Sequence, residues 1–193
     1  MSVNCVNVIL EGIAKDCSNL NAAIGAEKDL ILVNYEDFDK AGTALIANRE
    51  IDDLGNNIGG LTAIKLKLGA IQHVFEGTDY SVVPSVTPEI KEDGDAWYIH
   101  SIGFTVYSKK AKDRKTLEAL GYSKVIAITK DRSTGLYELF GGDQGLKMSG
   151  IERAYVGTQN SNFYAVTIAT SDIGVVREST LGELSTSIIT ALV

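Results

Sequence analysis

The pattern of hydrophobic and polar positions is strongest between residues 96 and 142, where it predicts a strand, a helix, a strand, a turn and another strand. The run AWYIHSIGFTVYSK, which begins at Ala96, is the longest β-rich stretch of the chain. The next residues, KAKDRKTLEALGY, have a helical composition, with Leu117 and Leu120 three positions apart and Gly121 placed to end the helix. KVIAITKD then predicts a strand, DRSTG a turn and LYELFG a returning strand.

Further strands are predicted on both sides of this stretch. They are DLILVNY (residues 29–35), LTAIKLKLGA (61–70), AIQHVF (70–75), SVVPSVTPEI (81–90) and FYAVTIAT (163–170). In the second of these runs Ile64, Leu66 and Leu68 share one face. Pro84 and Pro88 place the 81–90 strand at a sheet edge, because proline cannot donate a ladder hydrogen bond. Six or more strands with one convincing helix predict a mainly β protein, an antiparallel β-sandwich or barrel with one flanking α-helix.

Other segments have weaker patterns. Residues 40–60 are polar and glycine-rich and predict a long loop, and the stretch GGDQGLKMSGIERAYVGTQNSN after residue 140 also predicts irregular structure. Residues 6–10 (VNVIL) form a short apolar run, and residues 179–193 end in the β-prone TSIITALV. We therefore expect residues 1–193 to form a single domain with terminal arms, residues 3–15 and 179–193, and a long loop at about 40–60.

The distribution of charge argues against nucleic-acid binding through phosphates. Residues 1–95 contain sixteen acidic and seven basic side chains, a net charge of −9, and residues 96–193 contain nine acidic and eleven basic ones, a net charge of +2. A chain with a total charge of −7 is a poor candidate for gripping a phosphate backbone, although DNA could slide past it without sticking. Trp97, Tyr98 and Phe104 lie on so apolar a strand that we expect them in the core rather than stacked on bases.

No apolar run approaches the roughly 20 residues that span a bilayer, and the first residues lack the basic region of a signal peptide. Cys5 and Cys17 are too few for a disulfide framework and lack zinc-ligand spacing with either histidine. We expect two free cysteines in an intracellular protein.

Few side chains suggest catalysis. His73 and His100 each lie in a strand-like run, where a histidine is usually a polar residue on a half-exposed face. Glu36, Asp37 and Asp39 lack the spacing of a calcium-binding loop. The GGDQG of residues 141–145 lacks the Lys-Ser/Thr of a phosphate-binding loop, so a turn between strands explains it better. We therefore expect no enzymatic activity, no metal and no cofactor.

A cluster of basic residues at the start of the predicted helix is less easily explained. It consists of Lys109, Lys110, Lys112, Arg114 and Lys115. Cations are unfavourable at a helix N-terminus, where the macrodipole prefers negative charge, unless something acidic faces them. Ser108 or, if the helix starts later, Asp113 could cap the helix. The cluster is either a solvated face or a subunit interface with an acidic protein partner, for which residues 1–95 of a second copy would serve.

The order of these elements resembles the tail-tube and tail-ring (head–tail) structural proteins of bacteriophages, including phages of gut Bacteroidales and the crAss-like group. The resemblance lies in the hairpin KVIAITKDRSTGLYELFGGDQGL, the strand FYAVTIAT and the opening DCSNLNAAIGAEKDLILVNYEDF, and it extends from residue 17 to residue 170. It implies a β-sandwich or barrel that assembles into a homo-oligomeric ring in the virion tail, made in the host cytoplasm. The implied partners are other tail or portal proteins and DNA that passes through the channel without sequence recognition, with no membrane.

The leading alternative is a β-domain that binds a small molecule or a carbohydrate, and such a module is expected to be monomeric. An enzyme comes third, because no pair of catalytic groups can be assembled from the sequence. For the structural role, we expect residues 40–60 and both arms to become ordered on assembly by adding to a neighbour's sheet edge.

Overall fold

The computed structural model of the chain describes residues 26, 28–46, 61, 63–90, 96–107, 110–155, 162–170, 178 and 189–191. Two helices occur in these ranges, α1 (Lys40–Ile46) and α2 (Ala111–Tyr122), together with a short 3-10 turn (Tyr35–Asp37). The strands are β1 (Asp29–Asn34), β2 (Ile64–Leu66), β3 (Gln72–Glu76), β4 (Val82–Ile90), β5 (Ala96–Val106), β6 (Lys124–Lys130), β7 (Tyr137–Phe140), β8 (Leu146–Tyr155), β9 (Asn162–Thr170) and β10 (Ile189–Ala191). The protein is mainly β, as the sequence predicts.

Eight of the strands form one antiparallel sheet in the order β3-β1-β6-β8-β9-β5-β4. The eighth strand, β7, pairs with β6 over residues 127–130, beyond the two residues at which β6 pairs with β8. β2 and β10 form a separate parallel pair, in which Ile189 lies opposite Ile64.

The large sheet is curved, so that side chains of strands far apart in its order pack together. β3 and β4 are consecutive in the chain and are joined by only five residues, 77–81, although they lie at opposite ends of the strand order. The rings of Phe75 on β3 and Phe104 on β5 pack edge to face with centroids 5.5 Å apart. β3 and β4 do not pair with each other, so the sheet is open in the part of the chain described, and neither a sandwich nor a closed barrel is established.

Both faces of the sheet are covered where β1 and β6 cross the centre. The concave face buries Leu30 and Leu32 of β1 against Ile102, Phe104, Val166 and Ile168 of the distant strands. Two leucines of α2, Leu117 and Leu120, join this cluster, and burying each contributes about 1.5–3 kcal/mol to holding the helix in place. The opposite face buries Val33, Ile126 and Ile128 against the small sheet through Ile64 and Leu66.

Most of the predicted elements are confirmed. The strand from residue 96, the helix, the following hairpin and the 163–170 strand are present, and α2 ends at Tyr122, one residue beyond Gly121. β4 is an end strand, as Pro84 and Pro88 predict. Phe104 is buried in the core, while Trp97 and Tyr98 are half-buried.

The predicted loop at 40–60 is wrong over its first seven residues, which form α1. Asp39 is the reason, because its carboxylate accepts the Gly42 N–H at 2.8 Å and so caps the start of the helix. The described residues therefore contain two α-helices rather than one, and residues 47–60 lie outside them.

The predicted irregular stretch after residue 140 is also wrong, because residues 146–155 form β8, one of the longest strands. A β-bulge between Met148 and Gly150 shifts the register by one residue and so breaks the alternation of apolar side chains. Leu68 departs from its prediction as well: β2 ends at Leu66, and Leu68 is 79% exposed in the following turn.

Of the two predicted arms, residues 3–15 lie outside the described part. Three residues of the other arm, Ile189–Ala191, form β10 and pair with β2 of the same chain rather than with a neighbour.

Candidate functional site

The basic cluster lies on the exposed surface at the start of α2. Lys110 occupies the N-cap position, and no side chain caps the helix, so Asp113 is not the cap. Lys110, Lys112, Arg114 and Lys115 are all exposed. Lys109 and Ser108 lie outside the described residues. The structure thus brings four of the five predicted basic side chains together on one exposed surface.

A groove of about 540 Å³ lies between α2 and the strands β8 and β9. Its wall is mostly apolar, and it includes the charged side chains of Arg114 and Glu118. The apolar part consists of Leu117, Gly121, Tyr122, Met148, Ile151 and Tyr164. Tyr122 is 95% exposed, and the Arg153 guanidinium lies 5.5 Å from the centre of the Tyr164 ring. The basic cluster therefore adjoins an open apolar surface.

A second recess, of about 310 Å³, lies where the start of β4 approaches the β6–β7 hairpin. Its apolar wall includes Tyr80, Val83 and Pro84, and its polar wall consists of Asp131 and Glu138. Tyr80 and Val83 are largely exposed. Tyr80 also has a backbone φ of 63°, unusual for a side chain of this size. This recess combines exposed apolar surface with carboxylates.

The two carboxylates of the recess have different environments. Burial raises the pKa of Glu138, and the neighbouring charge of Asp131 raises it further. Burial alone would raise the pKa of Asp131 too, but hydrogen bonds from Ser133 and Thr134 outweigh it and lower that pKa. The Asp131 carboxylate accepts the Ser133 N–H at 2.7 Å and the Thr134 N–H at 2.8 Å, which fixes the predicted DRSTG turn.

The Glu138 carboxylate, by contrast, makes no hydrogen bond or ion pair with the residues that the structure describes. It is half-buried beside a like charge. A cation that entered the recess would stabilise the charged form of Glu138 and so offset both the cost of its burial and the repulsion from Asp131.

The groove and the recess lie at opposite ends of β6. Tyr122 precedes the first residue of β6 by two positions, and Asp131 directly follows its last residue. A strand of seven residues spans about 20 Å at about 3.3 Å per residue. The molecule therefore carries a basic, partly apolar surface at one end of this strand and an acidic, partly apolar recess at the other.

The glycine-rich residues 141–145 form the turn between β7 and β8, as predicted, and a buried carboxylate holds this turn. Glu178 is 1% exposed, and its two oxygens accept the N–H groups of Asp143 at 2.7 Å and of Gln144 at 3.0 Å. Burial raises the pKa of Glu178, although the two N–H groups act in the opposite direction. Glu178 was not predictable from the sequence, because an isolated acid outside any periodic run gives no signal.

Side chains from two other parts of the chain also reach this turn. The buried His100 accepts the Gly141 N–H at its Nδ1 atom, 3.2 Å away, so the prediction of a half-exposed face is wrong for this histidine and fits the exposed His73. The Tyr35 hydroxyl donates to the Asp143 carbonyl at 2.5 Å, and the Lys40 ammonium pairs with the Asp143 carboxylate at 2.8 Å. The buried side chains of His100 and Glu178 therefore have a structural role, which is to hold the β7–β8 turn.

The described residues contain no group of three or more His, Cys, Asp or Glu side chains placed to hold a metal ion. Within the same ranges, neither helix has the length and apolar character needed to cross a membrane. Comparisons with protein-family models, curated proteins and solved structures found no match to the chain. The resemblance to phage tail proteins stays a prediction from the sequence.

Proposed function

We propose that the chain is a non-enzymatic structural subunit of a bacteriophage tail, and that copies associate head to tail into a ring or tube around a DNA channel. One observation carries this proposal: the groove with its adjoining basic cluster and the acidic recess lie on different parts of the same molecule. A contact between two different patches is heterologous, and such contacts generate closed rings or open stacks rather than closed dimers.

Apolar surface would supply most of the contact energy. Tyr122 and Ile151 are exposed on the groove, and Tyr80, Val83 and Leu136 are exposed at or near the recess. Contiguous exposed apolar patches are unusual on monomeric proteins and commonly mark interaction sites. Exposed ion pairs contribute only about 0–1 kcal/mol each, so the charges would set orientation and partner choice.

The proposal names the acids that would meet the basic cluster. From the sequence, these acids are expected within residues 1–95, but the recess that fits best carries Asp131 and Glu138 from the second half of the chain. Lys112, Arg114 and Lys115 are long, exposed cations that could reach Glu138 of a second copy. Such a contact would provide the half-buried carboxylate with a counter-charge.

The tail assignment and the partners rest on the resemblance in the sequence. A net charge of −7 suits a channel along which DNA passes without adhering. The other proposed partners are further tail or portal proteins, and the proposed location is the virion.

Mass measurement by light scattering, together with negative-stain electron microscopy over a range of concentrations, tests self-association. We expect a concentration-dependent oligomer and ring- or tube-shaped particles at low salt. A species that stays monomeric at high concentration, without rings or tubes, would overturn the proposal.

A second candidate, a carbohydrate- or small-molecule-binding module, is favoured by the groove itself. Its volume of about 540 Å³ lies in the range typical of ligand pockets, and Tyr122 and Tyr164 offer aromatic surfaces on which a sugar ring could stack. This candidate predicts a monomer that binds a glycan and loses that binding on Tyr122→Ala. The same substitution would weaken self-association if the groove is a subunit interface.

A further inference from the structure

The two end strands of the large sheet differ in their capacity to accept another strand. On β4, the Ser81 carbonyl accepts the Thr105 N–H at 3.1 Å, and this pair continues the β4–β5 register. Because hydrogen-bonded and non-bonded pairs alternate in an antiparallel ladder, even-numbered residues of β4 direct their backbone groups away from β5. Pro84 and Pro88 occupy two of these outward positions, so β4 lacks two of the donors that an added strand would need.

The outer side of β3, by contrast, keeps all of its backbone donors and acceptors. The Gly77 N–H donates to the Lys28 carbonyl at 2.9 Å, one step beyond the last pair of the β1–β3 register. Residues 73 and 75 therefore bond to β1, and Gln72, Val74 and Glu76 direct their N–H and C=O groups outward. β3 contains no proline, and its outer side pairs with none of the described strands.

Exposed apolar side chains accompany this open edge. Leu68 is 79%, Ile71 63% and Val74 56% exposed, all within or just before β3. An open edge with apolar side chains is a ready acceptor for a further strand, in which backbone bonds supply affinity and side chains supply specificity. β4 is protected against such pairing by its prolines, whereas β3 is not.

We propose that β3 accepts residues 6–10 (VNVIL) of a neighbouring copy as an added strand. This inference rests on the proposed self-association and identifies the edge and the segment involved. The segment matches β3 in length at five residues, contains four aliphatic side chains, and has neither a charge nor a proline. The fifteen residues between it and Ala26 span up to about 50 Å when extended, which is enough to reach an adjacent subunit.

Hydrogen exchange on the full-length protein tests the proposal residue by residue. In the assembled protein, the amides of Gln72, Val74 and Glu76 should exchange on the order of tenfold more slowly than in the dissociated protein. The amides of residues 73 and 75 should be protected in both states, because they bond to β1. Val8→Asp, which places a charge in the donor segment, should remove the extra protection and weaken assembly.

Two proline variants provide a matched comparison of the edges. Val74→Pro removes an outward N–H donor from β3 and should prevent assembly. Ile90→Pro removes an outward N–H donor from β4 at another exposed aliphatic residue, and this variant should still assemble. If the parent assembles but its outward β3 amides stay unprotected, this inference is wrong and the proposed function is unaffected. If the outward β3 amides are also protected in the monomer, the inference is wrong as well, because residues 6–10 would then pair with β3 of their own chain. A parent that never assembles would overturn the proposed function itself.

Discussion

At the scale of single residues, Glu178 carries a buried carboxylate that helps to hold the fold together. It satisfies two backbone N–H groups in a turn that also receives His100, Tyr35 and Lys40. The backbone N–H and C=O of residue 178 also pair with Tyr98 of β5, each at 3.0 Å, so the side chain and the backbone of Glu178 together attach a late part of the chain to the sheet.

Removing that carboxylate should destabilise the fold. Glu178→Ala leaves the N–H groups of Asp143 and Gln144 without acceptors, and we expect a loss of about 1–3 kcal/mol in the free energy of unfolding. The control is Glu36→Ala, which removes an exposed glutamate and should change stability by less than about 0.5 kcal/mol. Urea denaturation of both variants checks this, and equal stabilities would contradict a structural role for Glu178.

Glu138 should make stability depend on pH. Burial, and then the charge of Asp131, raise its pKa in the folded state above the ordinary value of 4.5. Its contribution to stability is therefore complete below about pH 4.5 and is lost as the pH rises through the folded pKa. Glu138→Gln should accordingly raise the melting temperature of the dissociated protein at pH 8 and have little effect at pH 4. Glu152→Gln, at an exposed glutamate, serves as the control. If the increase in melting temperature of Glu138→Gln became larger toward low pH, the pKa of Glu138 would not be raised in the folded state.

At the scale of elements, the sequence predicts strands and helices whose apolar period is unbroken. β1, β5, β6 and β9 and the helix α2 were predictable because their Val, Ile, Leu and aromatic side chains are dense or regularly spaced. β8 was not, since the bulge at Met148 moves Ile151 out of phase. α1 has only seven residues, and its one clear signal was the cap Asp39.

The candidate site was predictable in part for the same reason. The basic cluster lies within a few residues at the start of α2 and could be found in the sequence, but the recess joins Tyr80 and Val83 to Glu138 from elements far apart in the chain. Only the curvature of the sheet brings them together, and a periodic pattern does not encode that curvature. The contact between Glu178 and the 141–145 turn was also not predictable, because it joins residues that are far apart in the chain.

The turns on either side of β7 offer a matched test of how tightly each is packed. Gly135 and Gly141 both have positive φ values, 70° and 76°. A Cβ at Gly135 would meet nothing within 4 Å, whereas one at Gly141 would lie 2.7 Å from the Leu146 side chain. We expect Gly135→Ala to cost about 1–2 kcal/mol, from backbone strain alone. Gly141→Ala should lower the free energy of unfolding by more, because the added Cβ would also clash with Leu146. Thermal unfolding that ranks the two variants in the opposite order would contradict the packing described.

At the scale of the whole molecule, the two charged surfaces should make assembly sensitive to salt. Interactions between exposed charges are screened beyond about 10 Å at about 0.1 M salt and beyond about 3 Å at about 1 M. We expect the oligomer to dissociate progressively over this range, while the melting temperature of the monomer changes little. Sedimentation velocity at several salt concentrations checks this, and assembly that strengthens with salt would point to apolar contacts alone.

The central claim is that unlike surfaces of two copies meet, and a mixing experiment with charge-reversed variants tests it most directly. Lys110→Glu, Lys112→Glu and Lys115→Glu together leave only Lys109 and Arg114 positive and so give the basic cluster a net charge of −1, and Glu138→Lys replaces the half-buried carboxylate of the recess by a cation. Glu36→Lys serves as a control for adding the same charge at an exposed site elsewhere.

The measurement is sedimentation velocity at low salt on each variant alone and on an equimolar mixture of the two. Each variant alone brings like charges together and should stay monomeric, whereas in the mixture every contact can pair opposite charges, so assembly should return. Variants that assemble alone as well as the parent does, or a mixture of folded variants that stays monomeric, would contradict the head-to-tail contact.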